Sequence, residues 1–273
     1  MKHFAVLALA LFWSQLAMAE APKRVVSANL CADQLLLELA DPAQIASLSP
    51  LSVSPGISYL VERAKTFPIN RGHAEDIVML GADLVLVSAF DSHYMRAMLQ
   101  AKNLPSLVIE PWNNLEHGRQ QIHNLANRLG HPERGAALIK RIDEALAQAK
   151  TEAPPRKSLH IERRGYVPGS IGLVNEVTNQ MGFADMSAQA GLPHGGFMTL
   201  EKVLTLAPEF LVVSDITFGA EDQGQAFLIH PALMQKYPPE KRINVQSRLS
   251  ICGGPSTPEL IKTLSDQIRS KVK

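Results

Sequence analysis

The chain has 273 residues, with 27 Lys and Arg against 26 Asp and Glu and only two Cys. That balance excludes the basic stripe of a nucleic-acid binder and the polybasic patch of a membrane-surface protein, and two Cys exclude a scaffold built from disulfides. The length exceeds what a single core usually holds.

At the N-terminus, Lys2 is followed by an apolar stretch over 4–16 and by Ala17-Met18-Ala19 before Glu20. A charged start, a short apolar segment and a small-x-small box predict a secretory signal peptide over 1–19, cut after Ala19. The stretch is too short for an ordinary spanning helix, and no later segment reaches spanning length. No Cys lies near the cut for a lipid anchor, so the expected location is the periplasm. Losing 1–19 removes one Lys and no acid, which moves the formal balance from +1 to zero. The remaining chain of about 250 residues can hold two lobes.

Short β-branched runs alternate with amphipathic stretches, which is the α/β pattern. Strands are predicted over 24–27, 45–48, 84–87, 106–109, 159–162, 210–213 and 243–245. The spacing predicts mainly parallel sheets. Residues 75–88 align without a gap against 201–214, an offset of 126 residues, each copy reading as a short helix, a turn and a buried strand. An offset that long is no solenoid period and implies two similar domains, although any helix-turn-strand unit shares some of this pattern. Between the copies, Ile139, Ile142, Leu146 and Ala149 fall on one face of a helix predicted over 133–152, with Gly130-His131-Pro132 before it and Pro154-Pro155 after it. The predicted organisation is an N-terminal lobe over 20–130, a connecting helix over 131–155 and a C-terminal lobe over 156–273.

The opening Arg24-Val25-Val26-Ser27, the Asn70-Arg71-Gly72-x-Ala74-Glu75 segment, the long central helix and the Gly165-Tyr166-x-x-Gly169 turn, taken in order, resemble the helical-backbone (class III) periplasmic binding proteins for vitamin B12 and ferric siderophores. The similarity runs through residues 22–270. It implies an α/β fold of two Rossmann-like lobes with mainly parallel sheets, joined by one long α-helix, with ligand in the cleft at the carboxyl ends of the strands. It implies a monomer that hands a small molecule to the permease of an ABC importer. It also implies one exposed Glu on each lobe for docking to that permease. By position these are Glu75 and Glu201, although a Glu in the first turn of a helix is also explained by the helix dipole.

Ligand-binding candidates on the strand-to-helix turns are Asn29, Arg71, Trp112, Arg164, Tyr166, His194 and Arg248. Trp112 and Tyr166, ahead of Phe90 and Phe218, suit a flat wall against a macrocycle or catechol; the alternative is a loop aromatic plugging its own lobe. Arg71, Arg164 and Arg248 suit an anionic chelate by bidentate hydrogen bonds, while solvated Arg is the commoner fate. His73 and His194 are either ligand contacts or surface histidines. Cys31 and Cys252 lie near opposite ends of the chain. They either pair, pinning the lobes together if their Cα atoms come within ~7 Å, or remain separate buried thiols, with ligation of a metal or haem iron a third reading.

Neither G-x-S-x-G, G-x-x-x-x-G-K-[ST], an early G-x-G-x-x-G nor H-E-x-x-H occurs, and strand-end acids such as Asp91 and Asp215 do not make a hydrolase. The expectation is a binder and not an enzyme, without cofactor or protein-held metal. The expected ligand is an iron complex, a ferric siderophore or haem. The alternatives are cobalamin, a secreted ligand sensor and a periplasmic hydrolase.

Overall fold

The computed structural model describes residues 20–151, 154–214 and 224–271. Residues 1–19, read above as a signal peptide, and Asp215 and Phe218 lie outside the described residues.

Along the first half run β1 (Val25–Ser27), α1 (Leu30–Leu39), β2 (Ile45–Ser47), α2 (Val61–Ala64), α3 (Ala74–Met79), β3 (Leu84–Ser88), α4 (His93–Ala101), β4 (Ser106–Ile109) and α5 (Leu115–Leu129). Next comes α6 (Pro132–Ala149). The second half contains β5 (Arg156–Ile161), β6 (Tyr166–Val167), α7 (Leu173–Gln180), β7 (Phe183–Asp185), β8 (Gly196–Phe197), α8 (Leu200–Leu206), β9 (Phe210–Ser214), α9 (Pro231–Lys236), β10 (Arg242–Val245), α10 (Ser247–Ser250) and α11 (Thr257–Lys271).

Two four-stranded sheets form, in the orders β2-β1-β3-β4 and β10-β9-β5-β7, and every pairing within them is parallel. Their central strands are apolar without alternation, as in Leu84-Val85-Leu86-Val87, because helices cover both faces of each sheet. β6 and β8 form a separate antiparallel ribbon. The strand β7 has no β-branched residue and is set by pairing with β5, so no local signal announced it.

The two aligned segments fold alike. Helices α3 and α8 each lead through a left-handed residue, Gly81 (φ 62°) and Ala207 (φ 48°), into the central strands β3 and β9. Glycine adopts that conformation freely, whereas alanine does so only against the repulsion of its Cβ.

The long helix ends earlier than predicted, at Ala149, where Lys150 turns to extended backbone ahead of Pro154. Its buried stripe is Gly135, Leu138, Ile142 and Ala149, with Ile139 and Leu146 partly covered. Gly135 lets α5 approach closely, since a Cβ there would lie 2.6 Å from that of Ala126. Arg134 to Asp41 (2.5 Å), Arg141 to Glu38, and Arg119 to Asp143 (2.5 Å) tie α6 to the first half of the chain.

One continuous apolar cluster runs from Leu36, Leu86 and Ile109 through Leu138 and Ile142 of α6 to Val177, Phe210, Ile243 and Leu264. The outer faces of the two sheets carry separate clusters, around Val85 and around Leu211. The inner cores of the two lobes are thus joined through α6. Among the described residues no helix is long and apolar enough to cross a membrane.

Candidate functional site

Ligands of open parallel sheets sit beyond the carboxyl ends of the strands, so the turns after β1, β2, β3, β5, β7 and β10 frame the site. Asn29 leaves β1 and caps α1, its Oδ1 accepting from the Ala32 amide at 3.0 Å. Its Nδ2 is buried without a hydrogen-bond partner. Asn70 fixes the turn ahead of α3, next to the end of β1: its Nδ2 donates to the Ser27 carbonyl (2.8 Å) and its Oδ1 accepts from the Gly72 amide (2.9 Å). Arg71, on that turn, is exposed.

The lobes meet in a set of direct contacts. Cys31, in the first turn of α1, is bonded to Cys252, with Cα atoms 5.1 Å apart. Leu30 and Ile57 pack on the buried Cys252. Trp112 is only 5% exposed and lies between two glycines. A Cβ at Gly118 would come within 2.4 Å of the indole, and one at Gly253 within 2.1 Å. The Trp112 Nε1 donates to Gln121 at 3.3 Å. The side chain is therefore a wedge between α5 and the segment beside Cys252, with only a sliver left open to solvent. The Gly172 amide donates to the Asn113 carbonyl at 3.2 Å. Tyr59 donates to Glu259 (3.0 Å), whose other oxygen accepts from Arg248 Nη2 (3.2 Å). Arg248 also bonds Gln246, so its guanidinium is committed to neighbouring side chains of its own protein.

On the second lobe Arg164 is exposed and holds a left-handed backbone (φ 57°), its amide donating to the Gly224 carbonyl at 2.8 Å. Gly165 follows with φ 75°, and a Cβ there would lie 2.4 Å from the Met198 carbonyl. Tyr166 packs edge-on against Phe197, centroids 5.3 Å apart, across the β6–β8 ribbon. His194 is exposed on the turn leading into β8. Of the predicted residues, Cys31 and Cys252 are bonded to each other. Trp112 lies beside them through Gly253.

Several residues escaped the sequence reading. His160, second from the end of β5, is 4% exposed; its Nε2 lies 2.8 Å from Ser214 Oγ and 3.7 Å from Glu162 Oε1. Burial pushes its imidazole down to about 4, so the ring is neutral at physiological pH. Burial also raises the Glu162 carboxyl above its ordinary value. Both groups line a cavity of about 280 Å³ with Ile171, Leu173, Val174 and Ile251. The signal available in the sequence is a histidine at the carboxyl end of an apolar strand. Asp33, in α1, is fully buried and accepts from the Ser49 amide (2.8 Å) and hydroxyl (2.5 Å). Its carboxyl is raised to about 7 by burial, those hydrogen bonds notwithstanding. Among the described residues no three His, Cys, Asp or Glu side chains are grouped to hold a metal ion.

Glu75 and Glu201 occupy the first turns of α3 and α8 and are exposed. The Glu75 carboxylate accepts from Tyr94 Oη at 2.6 Å, which holds it below the ordinary range. Glu201 is lowered by its own backbone N–H and the Thr199 hydroxyl.

Residues 25–237 match the family model described as periplasmic binding protein. The chain is similar in fold to the periplasmic heme-binding protein RhuT from Roseiflexus sp. RS-1, at 21% identity, 91% of this chain and 98% of that one, with a TM-score of 0.68. A periplasmic heme-binding protein from Pseudomonas aeruginosa aligns at 19% identity over 92% and 94% of the two chains, with a TM-score of 0.71. The vitamin B12 binding protein BtuF of Vibrio cholerae aligns at 14% identity over 92% and 98%, with a TM-score of 0.68. At these identities the fold is what is shared. Among curated proteins none matches the chain. The family match and the two parallel sheets joined through one long helix place the chain among the periplasmic binding proteins of the helical-backbone type, solute binders that work with an ABC permease and are not enzymes.

Proposed function

We propose that this protein, exported by cleavage after Ala19, captures a metal–macrocycle or iron chelate between its lobes as a monomer and delivers it to an inner-membrane ABC permease. The observation that carries the reading is a set of large apolar side chains left exposed on the segments that follow the sheet strands and on the β6–β8 ribbon. Phe90 is 83% exposed, with Leu51 and Ile69 on the first lobe, and Phe197 is 71% exposed, with Ile171 and Ile251 on the second. Exposed apolar surface at that position is what a flat, largely apolar ligand covers. An anionic iron complex, such as haem or a ferric siderophore, has Arg71 and Arg164 as available cations, Arg248 being engaged by Glu259. Cobalamin is the alternative.

The test is thermal denaturation of protein lacking residues 1–19 with haemin, a ferric siderophore or cyanocobalamin in excess. Ligand at 100 times its Kd stabilises by about 2.7 kcal/mol, so one of them raises Tm by several degrees. No shift with any of the three refutes capture. Docking through Glu75 and Glu201 is tested by reversing both charges: uptake falls while ligand affinity holds, because rim charges steer and register a complex more than they tighten it. Unchanged uptake refutes the docking role.

A further inference from the structure

We infer that Glu162 and His160 form a specificity-determining subsite on the C-terminal-lobe wall, one that takes a hydrogen-bond-donating carboxamide or ammonium edge of the ligand and disfavours a carboxylate. The inference rests on the reading of the cleft as a macrocycle site and, within that reading, favours the cobalamin-type alternative over haem. It begins from an imbalance. Glu162 is a partly buried carboxyl whose ionic neighbour within 4 Å is a neutral imidazole, 3.7 Å away. A nearby guanidinium or ammonium would lower such a carboxyl, yet this one is raised, and burial is the cause. Arg164, two residues on, holds a left-handed backbone, is exposed and does not line the cavity that Glu162 lines.

The cavity in front of the pair is lined by Ile171, Leu173, Val174 and Ile251 together with Asn175 and Ser250, whose amide and hydroxyl donate to the Gly169 and Gln246 carbonyls, and no Lys or Arg is among its described lining residues. Among the described residues no side chain donates a hydrogen bond to this carboxyl, and a partly buried acceptor left without a donor is costly. His160 cannot answer it well, since its Nε2 is shared with Ser214 Oγ at 2.8 Å. A ligand bringing N–H groups completes the site. A ligand bringing carboxylates sets like charge against like, beside a carboxyl whose charged form burial already disfavours. The subsite therefore discriminates between macrocycles of similar size by what fringes the ring.

The test uses the protein lacking residues 1–19 and two probes, dicyanocobinamide, whose ring is fringed with carboxamides, and haemin, whose ring carries two carboxylates. Binding is followed by visible absorbance and calorimetry at neutral pH, with wild type, Glu162→Gln and Glu162→Leu. A hydrogen bond to a charged group corresponds to roughly ten- to hundred-fold in affinity. Wild type is therefore expected to hold dicyanocobinamide at least ten-fold more tightly than haemin. Glu162→Leu is expected to erase that preference by weakening dicyanocobinamide while haemin is unchanged or tightened. Glu162→Gln, which preserves shape and an acceptor, is expected to fall between, and it decides the matter should the Leu variant fail to fold. Haemin bound more tightly than dicyanocobinamide, or both affected equally by Glu162→Gln, overturns the subsite and leaves capture standing. Binding of neither probe overturns the subsite together with the macrocycle reading.

Discussion

Replacing Cys31 and Cys252 by Ser together removes a cross-link between residues 221 apart in sequence. In the chain-entropy description a closed loop of that length restricts the unfolded ensemble by about 18 cal/mol/K, or about 5 kcal/mol at 25 °C. Two features set how much of this is realised. The bond lies against Leu30 and Ile57, and Trp112 wedges between Gly118 and Gly253 beside it, so the native contact between lobes persists when the bond is absent. The native state thus keeps its geometry and the loss falls on the unfolded side. A destabilisation of roughly 3–5 kcal/mol is expected, read as a lower urea midpoint, with the wild type in reductant reproducing the double variant. The urea slope should rise, because the uncross-linked unfolded chain exposes more surface. A loss under about 1 kcal/mol with an unchanged slope would refute the claim that the bond restrains the chain across its whole length.

Gly253→Ala places a methyl 2.1 Å from the Trp112 indole and is expected to cost about 3 kcal/mol, with partial recovery in Gly253→Ala/Trp112→Phe; additive losses in a double-mutant cycle would show the two do not touch. At the equivalent helix ends, Ala207→Gly is expected to stabilise by up to about 1 kcal/mol and Gly81→Ala to destabilise by about 1 kcal/mol, checked by thermal unfolding; equal signs would contradict the left-handed assignment. The Asp33 carboxyl titrates near 7 when folded and near 3.8 otherwise, so between those values the folded state holds a proton that the unfolded state has released. Its contribution to stability is therefore full below about 4 and declines by roughly 4 kcal/mol as pH rises to 7. Asp33→Asn should flatten that slope in urea titrations at stepped pH, and a slope unchanged by the substitution would exclude Asp33 as its source.

What the sequence made legible is what local chemistry controls. The aligned segments at 75–88 and 201–214 could be read because each is a helix, a turn and an apolar strand within fourteen residues. The central helix was legible from its periodicity, although its buried stripe turned out to run through Gly135 and Leu138, where α5 comes close. Strands β6, β7 and β8 were missed because pairing, and not composition, holds them in place. The candidate site was less legible. Trp112 reads as a loop aromatic until two glycines, one of them 141 positions away, are seen to grip its ring. Arg248 reads as an open cation until Glu259 and Tyr59 are found on it. His160 reads as a strand residue, because nothing local reveals that its ring meets Ser214 and Glu162.

The arrangement of the shared core also dictates an order of events. Leu260, Ile261 and Leu264 of α11 belong to the cluster that α1 and α6 begin, so the inner core stays unfinished until the last helix has emerged. Chains emerge N-terminus first, and Cys31 must wait through nearly the whole length for its partner. With only two Cys in the chain it has no wrong intramolecular partner to choose meanwhile, so the bond can close late, once and without reshuffling. Oxidation then acts as a completion step that seals an already assembled pair of lobes.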